Sequence, residues 1–90
     1  MILRLVCGDL DRETYERLRT ALDIDRNHPL GLIMHGATEV DGRMQVAQVW
    51  ESDDYARRFV EERLSPTLEE LGIPLEAAVT VFELQHLVTP

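Results

Sequence analysis

The chain has 90 residues, of which 44% are hydrophobic, and it carries a formal net charge of −8. This length corresponds to one domain, and this hydrophobic content excludes an intrinsically disordered chain. The acidic balance and the lack of a basic stripe argue against nucleic acid and anionic membrane surfaces as partners.

The first predicted element is a strand over residues 2–7, which are apolar except for Arg4. Cys7 is the only cysteine, so the chain cannot form an internal disulfide, and this fits a reducing compartment. The apolar stretch before Cys7 is too short for the hydrophobic region of a signal peptide. No apolar run reaches the roughly 20 residues of a membrane span. We therefore expect a cytoplasmic protein.

A helix is predicted over residues 12–25, because Tyr15, Leu18 and Leu22 recur with helical spacing and form one apolar stripe. Pro29 cannot continue a helix, so the element must end before it. Its position on the stripe places Tyr15 in the core, with a hydroxyl that can reach a cavity.

A β-hairpin is predicted over residues 32–50, with Asp41-Gly42 as its turn. An Asp-Gly pair favours a two-residue type I′ turn. Counting back from such a turn sets His35 opposite Gln48. Because side chains alternate between faces, and unless a bulge intervenes, one face is expected to carry Ile33, His35, Ala37, Met44, Val46, Gln48 and Trp50.

The next predicted element is a helix over residues 53–71. Ser52 stands at its N-cap position and Gly72 just past its end, which are preferred residue types there. Pro66 inside an uninterrupted helix would cost about 3 kcal/mol, but proline suits the first turn of a helix that starts after a serine. We therefore expect a kink or a restart at Ser65-Pro66.

The last predicted strand covers residues 78–88. Strand alternation is expected to turn Phe82 and His86 toward the helices. Val79 and Val81 are then expected on the opposite face.

The predicted order is β-α-β-β-α-β. The economical packing of such a chain is the ferredoxin-like α+β fold, an antiparallel four-stranded sheet with both helices on one face. Residues 1–90 then form a single domain. Each strand is apolar on both faces, but one layer of helices covers only one of them, so we expect a homodimer formed through the bare face. The residues expected there are Arg4, Gln45, Ala47, Val49, Val79 and Val81, with Arg4 able to pair with Glu83.

The V-W-E-S run that contains Trp50 and the following helix with Phe59 resemble the dimeric α+β barrel superfamily. The closest likeness is to small bacterial antibiotic-biosynthesis-monooxygenase-like proteins, and it covers nearly the whole chain in element order. It implies a homodimer with a pocket between sheet and helices in each subunit. Members include cofactor-independent oxygenases of polycyclic phenols, haem-degrading enzymes and proteins of no known activity. The haem-degrading branch uses an Asn in its first strand and a His in its second helix, and this chain has neither.

Two histidines, His35 and His86, are the candidate catalytic residues. An imidazole can take a proton from a phenol near neutral pH, because its ordinary pKa is about 6.5. The alternatives are a buried His35 satisfied by protein hydrogen bonds and a His86 in water. The residues expected to line the ligand pocket are Trp50, Gln48, Tyr55 and Phe82, where Trp50 either stacks on an aromatic ligand or plugs the end of the barrel.

No cofactor or metal ion is expected, because the three histidines lack metal-binding spacing and Cys7 stands alone. The leading hypothesis, implied by the resemblance, is a cofactor-independent monooxygenase-like enzyme acting on an aromatic or polyketide-type small molecule. In this mechanism His35 or His86 takes a phenolic proton, and the resulting anion reacts with oxygen. The rival hypothesis is a non-catalytic homodimeric binding or accessory protein. A cavity well below the roughly 300 Å³ of ordinary ligand sites favours the rival.

Overall fold

The computed structural model describes residues 1–90. The elements in chain order are β1 (Ile2–Gly8), α1 (Arg12–Leu22), β2 (Leu32–Val40), β3 (Arg43–Trp50), α2 (Asp53–Phe59), a π-helical turn (Val60–Leu64), α3 (Ser65–Leu71) and β4 (Ala77–Glu83). The four strands form one antiparallel sheet in the order β2-β3-β1-β4. The predicted ferredoxin-like α+β fold is confirmed. None of its helices combines the length and the apolar character that crossing a membrane requires.

The hairpin between β2 and β3 forms as predicted. Asp41 and Gly42 both have positive φ, 51° and 79°, as a type I′ turn requires. The turn pairs Val40 with Arg43, and the ladder then sets His35 opposite Gln48. The sequence of the turn therefore determines which side chains of both strands face the helices.

A bulge at Ile33 changes the start of β2. Leu32 lies opposite Trp50 and Met34 lies opposite Val49, the next residue of β3. Ile33 is therefore an extra residue in β2 without a partner in the ladder. The predicted register set Ile33 opposite Trp50, and this pairing was wrong. Leu32 takes that place and packs against the hydrophobic core.

Helix α1 ends earlier than predicted. Its N-cap is Asp11, whose side chain accepts a hydrogen bond from the backbone N–H of Thr14 at 2.8 Å. It ends at Leu22, because Asp23 adopts the left-handed conformation with φ 55° and closes the helix. Asn27 and Pro29, which were expected to end the helix, lie beyond this point.

The second helical region runs without a restart through Pro66. Ser65 has helical backbone angles and donates its N–H to the carbonyl of Val60, five residues back. Proline has no N–H, and its ring would clash with the carbonyl four residues back in a regular α-helix. The wider π-helical turn accommodates the ring, so Ser65 does not act as the predicted cap. Gly72, with φ 66°, ends α3 as expected.

The predicted face assignment of β4 was inverted, and the strand ends at Glu83 rather than at position 88. Val81 lies opposite Arg4, which itself lies opposite Gln48, so all three face the helices. Phe82 therefore faces the other way. The side chains on both sides of β4 are apolar, so its sequence does not indicate which side faces the helices. The pairing with β1 determines this.

The bare face of the sheet consequently has a different composition from the predicted one. Arg4, Val79 and Val81 are not part of it, and Arg4 forms no ion pair with Glu83. The strand register places on this face Leu3, Leu5, Cys7, Met34, Gln45, Ala47, Val49 and Phe82.

The core lies between the sheet and the helices and is centred on Trp50, which has no exposed surface. Its ring is tilted by 41° against that of Phe59, with 5.6 Å between centroids. The eight residues of the cluster are Leu10, Leu18, Leu22, Ile24, Trp50, Ala56, Phe59 and Ile73.

Candidate functional site

A cavity of about 310 Å³ lies between the sheet and the helices. Val79 and Val81 of β4 are 44% and 45% exposed although they face the helix layer, so the helices leave that side of the sheet partly uncovered. Of the 22 residues that line the cavity, 16 are hydrophobic. Both its volume and its apolar walls are those of a site at the small end of ordinary ligand pockets.

Three polar side chains form a row across the sheet inside this cavity. The antiparallel register sets His35 of β2 opposite Gln48 of β3, and Gln48 opposite Arg4 of β1. All three line the cavity. Directly opposed residues of an antiparallel pair have Cβ atoms about 5 Å apart, so each member of the row is in reach of the next.

A chain of hydrogen bonds ties part of this row to the core and to α1. The indole Nε1–H of Trp50 donates to Oε1 of Gln48 at 3.0 Å. Nε2 of Gln48 lies 3.2 Å from Nδ1 of His35. Nε2 of His35 lies 3.0 Å from the hydroxyl oxygen of Tyr15, which α1 projects into the cavity.

The chemistry of these groups determines which tautomer His35 adopts. An indole nitrogen is only a donor, so the Gln48 atom that faces Trp50 must be the amide oxygen. The Gln48 amide nitrogen then donates to Nδ1 of His35, which must be unprotonated to accept. Neutral His35 therefore carries its hydrogen on Nε2 and donates it to Tyr15. The hydrogen of the Tyr15 hydroxyl is left free to donate to another group.

Burial disfavours the charged forms of both His35 and Tyr15. It lowers the pKa of His35 below its ordinary value, an effect that Asp25 opposes and Arg19 reinforces. It also raises the pKa of Tyr15 above its ordinary value, an effect that Arg19 opposes. A proton arriving at Nδ1 of His35 would face the Gln48 amide donor, so His35 is poorly placed to act as the predicted proton acceptor.

Two of the predicted site residues, His35 and Gln48, line the cavity, and the others do not. Trp50 is fully buried and reaches the site only through Gln48. Phe82 faces the bare side of the sheet because of the β4 register. His86 lies beyond the end of β4 and is exposed.

Tyr55 also lies outside the cavity, because its ring packs against Gly31. A Cβ atom on Gly31 would lie 2.3 Å from Cγ of Tyr55, and Gly31 has φ +85°. Only glycine can take this backbone conformation so close to the ring without strain. The contact anchors the loop before β2 to α2 and explains Tyr55 as a packing residue.

Sequence reasoning missed Arg4, which was assigned to the dimer interface. Tyr15 was assigned to the core with a hydroxyl that can reach a cavity, and it does line the cavity. The available signal was the alignment of Arg4 with Gln48 and His35 once β1 is paired with β3. An isolated arginine in an otherwise apolar strand does not indicate which side of the strand faces the helices. The position of Arg4 can be predicted only once the pairing of β1 with β3 is known.

The described side chains do not form a metal site of the usual kind. No three His, Cys, Asp or Glu side chains come together closely enough to hold a metal ion. Cys7 is exposed and lies on the face of the sheet opposite the cavity. The polar side chains that line the cavity are Arg4, Tyr15, Arg19, His35, Gln48 and Ser65.

No family model and no curated protein matches the chain, whereas solved structures match over almost its whole length. It is similar to Rv0793 from Mycobacterium tuberculosis, with a TM-score of 0.71 at 13% sequence identity, over 99% of this chain and 100% of that one. It is similar to SnoaB, a cofactor-independent oxygenase from Streptomyces nogalater, with a TM-score of 0.65 at 13% identity, over 99% of this chain and 95% of that one.

A third similar structure is that of an antibiotic biosynthesis monooxygenase, with a TM-score of 0.68 at 8% identity, over 93% of this chain and 99% of that one. Identities this low demonstrate a common fold and not a common substrate. The predicted resemblance is confirmed at that level: the chain has the fold of the antibiotic-biosynthesis-monooxygenase-like proteins.

Proposed function

We propose that the protein is a cofactor-independent monooxygenase-like enzyme that acts, as a cytoplasmic homodimer, on a small aromatic or polyketide-type molecule. The observation that carries the proposal is the polar row of His35, Gln48 and Arg4, with Tyr15, in an otherwise apolar cavity of about 310 Å³. Apolar walls with a few convergent polar groups are the usual composition of a small-molecule site. The fold shared with the oxygenase SnoaB supports the reaction class.

The proposed reaction requires the substrate to supply the electrons. In an anthrone-type molecule the ring CH2 group becomes a carbonyl. One atom of O2 enters the product and the other leaves as water, so the substrate alone is oxidised. Such a molecule reacts with oxygen through its electron-rich anion, so the task of the protein is to favour that anion.

Tyr15 is the proposed catalytic residue. Its oxygen accepts the hydrogen bond from His35, and its own hydrogen is free to donate to the substrate oxygen on which negative charge develops. Removing one such donor from an oxyanion site typically lowers the rate by about 10²-fold or more. In this proposal His35, Gln48 and Trp50 are positioning residues behind Tyr15, which replaces the earlier hypothesis that His35 accepts the proton.

The homodimer is supported by the bare face of the sheet. Leu5, Met34 and Phe82 lie on this face and are 36%, 50% and 50% exposed. Large apolar side chains grouped on one surface of a small protein usually mark an interaction surface. A second copy presenting the same face would cover them.

Oxygen uptake with a hydroxylated anthrone tests the proposal. We expect the wild type to raise uptake above the spontaneous rate, and Tyr15→Phe to lower kcat by about 10²-fold. Tyr55→Phe is the matched control. It should leave the rate unchanged, because the Tyr55 side chain lies outside the cavity. His86→Ala should also leave it unchanged. Wild-type uptake at the spontaneous rate would contradict the enzymatic function.

A non-catalytic homodimeric binding protein is the second candidate function. It is favoured by one observation: both ring nitrogens of His35 bond to protein groups, and no Asp or Glu lines the cavity to accept a proton. This candidate predicts that the anthrone binds but that oxygen uptake stays at the spontaneous rate. Measuring equilibrium binding and oxygen uptake on the same sample separates the two functions.

A further inference from the structure

The cavity has the opposite charge character from the rest of the molecule. Acidic residues outnumber basic ones by 17 to 9 in the chain. None of the 22 residues that line the cavity is Asp or Glu, whereas both Arg4 and Arg19 line it. The side chains that line the cavity therefore include two guanidinium groups and no carboxylate.

Arg4 is the cation of the cavity that has no protein partner. Arg19 pairs with Glu16 and Asp25. Arg4 is only partly exposed and makes neither an ion pair nor a side-chain hydrogen bond. The other arginines without either kind of partner, all of them exposed, are Arg12, Arg17 and Arg43.

A guanidinium partly withdrawn from water against apolar walls gains most from an oxyanion partner. Loss of hydration destabilises an unpaired charge, and a guanidinium binds a carboxylate-like group through two parallel N–H donors. Arg4 lies opposite Gln48 in the polar row, and the free hydroxyl hydrogen of Tyr15 belongs to the same cavity. The surrounding hydrophobic residues suit the apolar part of the same molecule.

We propose that the cavity selects organic anions: molecules with an apolar ring body and one oxyanion group, which pairs with Arg4. This inference rests on the proposed function in treating the cavity as a ligand site, and it adds the ionic form of the ligand. For an ionisable substrate, pairing with Arg4 favours the anion, and the proton passes to water, so no protein base is needed. A carboxylate in the cavity wall would repel such an anion, which accounts for the lack of Asp and Glu there.

Two probes that share a ring body test the charge selectivity. Calorimetric titration of the wild-type protein with 2-naphthoate and with 2-naphthalenemethanol compares an anion with a neutral molecule of similar size. We expect the anion to bind at least about tenfold more tightly, as hydrogen bonds to charged groups typically allow. Arg4→Gln should weaken naphthoate binding by about the same factor and leave binding of the alcohol within about twofold.

Arg17→Gln is the matched control, because Arg17 is exposed on α1 and does not line the cavity. Arg4→Lys keeps the charge but loses the paired donors, so it should retain part of the preference. If Arg4→Gln does not fold, the wild-type preference and the Arg4→Lys variant decide the question.

Equal binding of both probes by the wild type would overturn the inference and leave the cavity as a ligand site. Binding of neither probe would overturn both proposals, whereas anion preference without oxygen uptake would remove only the reaction.

Discussion

The indole Nε1–H of Trp50 donates to Oε1 of Gln48, two residues earlier on the same strand, at 3.0 Å. Trp50 is fully buried, so this contact is shielded from water and holds the amide in one orientation. The amide nitrogen is thereby directed at Nδ1 of His35. Trp50, which has no surface in the cavity, thus determines which ring nitrogen of neutral His35 carries the hydrogen.

Gln48→Glu should reverse the protonation preference of His35. A carboxylate beside Nδ1 accepts a hydrogen bond and favours the charged imidazolium. We expect the pKa of His35, which burial holds below 6.5 in the wild type, to rise above 6.5 in the variant. Titration of the histidine ring protons by NMR measures this directly.

Gln45→Glu is the control for that substitution, because Gln45 lies on the same strand but on the opposite face of the sheet. It should leave the pKa of His35 almost unchanged. A His35 pKa that stays below 6.5 in Gln48→Glu would show that the side chain at position 48 does not control the titration of His35.

Stability should fall on acidification in part because of His35. Its folded-state pKa is lowered, so below pH 6.5 the unfolded chain binds a proton that the folded chain resists. The contribution is fully present above 6.5 and is lost as the pH falls toward the folded-state pKa. Urea unfolding at about pH 7.5 and about pH 5.5 should show a larger loss of unfolding free energy in the wild type than in His35→Gln.

His86→Gln provides the comparison, because His86 is exposed beyond β4. This variant should lose as much stability as the wild type over the same pH range. Equal losses in all three proteins would mean that burial of His35 does not perturb its titration.

Substituting Gly31 should destabilise the fold more than substituting any glycine in open space. Gly31→Ala combines a positive φ with a Cβ atom 2.3 Å from Tyr55, so we expect a loss of about 2–4 kcal/mol. Gly72 has a positive φ but nothing within 4 Å, so Gly72→Ala should cost only about 1 kcal/mol. Gly36 has no neighbour within 4 Å and no positive φ, and Gly36→Ala should be nearly neutral. Urea unfolding gives the order, and similar losses for Gly31→Ala and Gly72→Ala would remove the role of the Tyr55 contact.

The bare face of the sheet should hold two copies together. We expect light scattering to report a particle of twice 10.3 kDa at working concentrations. Leu5→Glu places a charge in the middle of that face and should yield the 10.3 kDa monomer, since a buried unpaired carboxylate is strongly unfavourable. Leu30→Glu, at a 70% exposed position outside the strands, should leave the dimer intact. A wild type that runs as a monomer would contradict the dimer.

The β-hairpin could be predicted in register because one local signal determines it. Asp41 and Gly42 require a type I′ turn, and the turn then places His35 opposite Gln48 without further information. A bulge was an open alternative, but its position at Ile33 could not be predicted, because the pairing of Leu32 with Trp50 depends on packing against the core. Local chemistry therefore gave the hairpin, and tertiary contacts modified its end.

The position of Arg4 in the candidate site, and that of Phe82 outside it, depended on a strand register that no local signal carries. In β4 both alternating sets are apolar, so the position of Phe82 follows only from pairing with β1. The same pairing of β1 with its neighbours turns Arg4 into the cavity. Tyr15 reads as one more apolar stripe position on α1, and its hydroxyl acquires a role only through its contact with His35.

The π-helical turn links the shape of the cavity wall to the presence of Pro66. Val60, Leu64 and Ser65 line the cavity, and the turn that holds them contains one residue more than an α-helical turn. Removing one residue from this turn would restore regular α-helical winding, and the ring of Pro66 would then clash with the carbonyl four residues back. A one-residue deletion would therefore reshape this wall and destabilise the helix that follows.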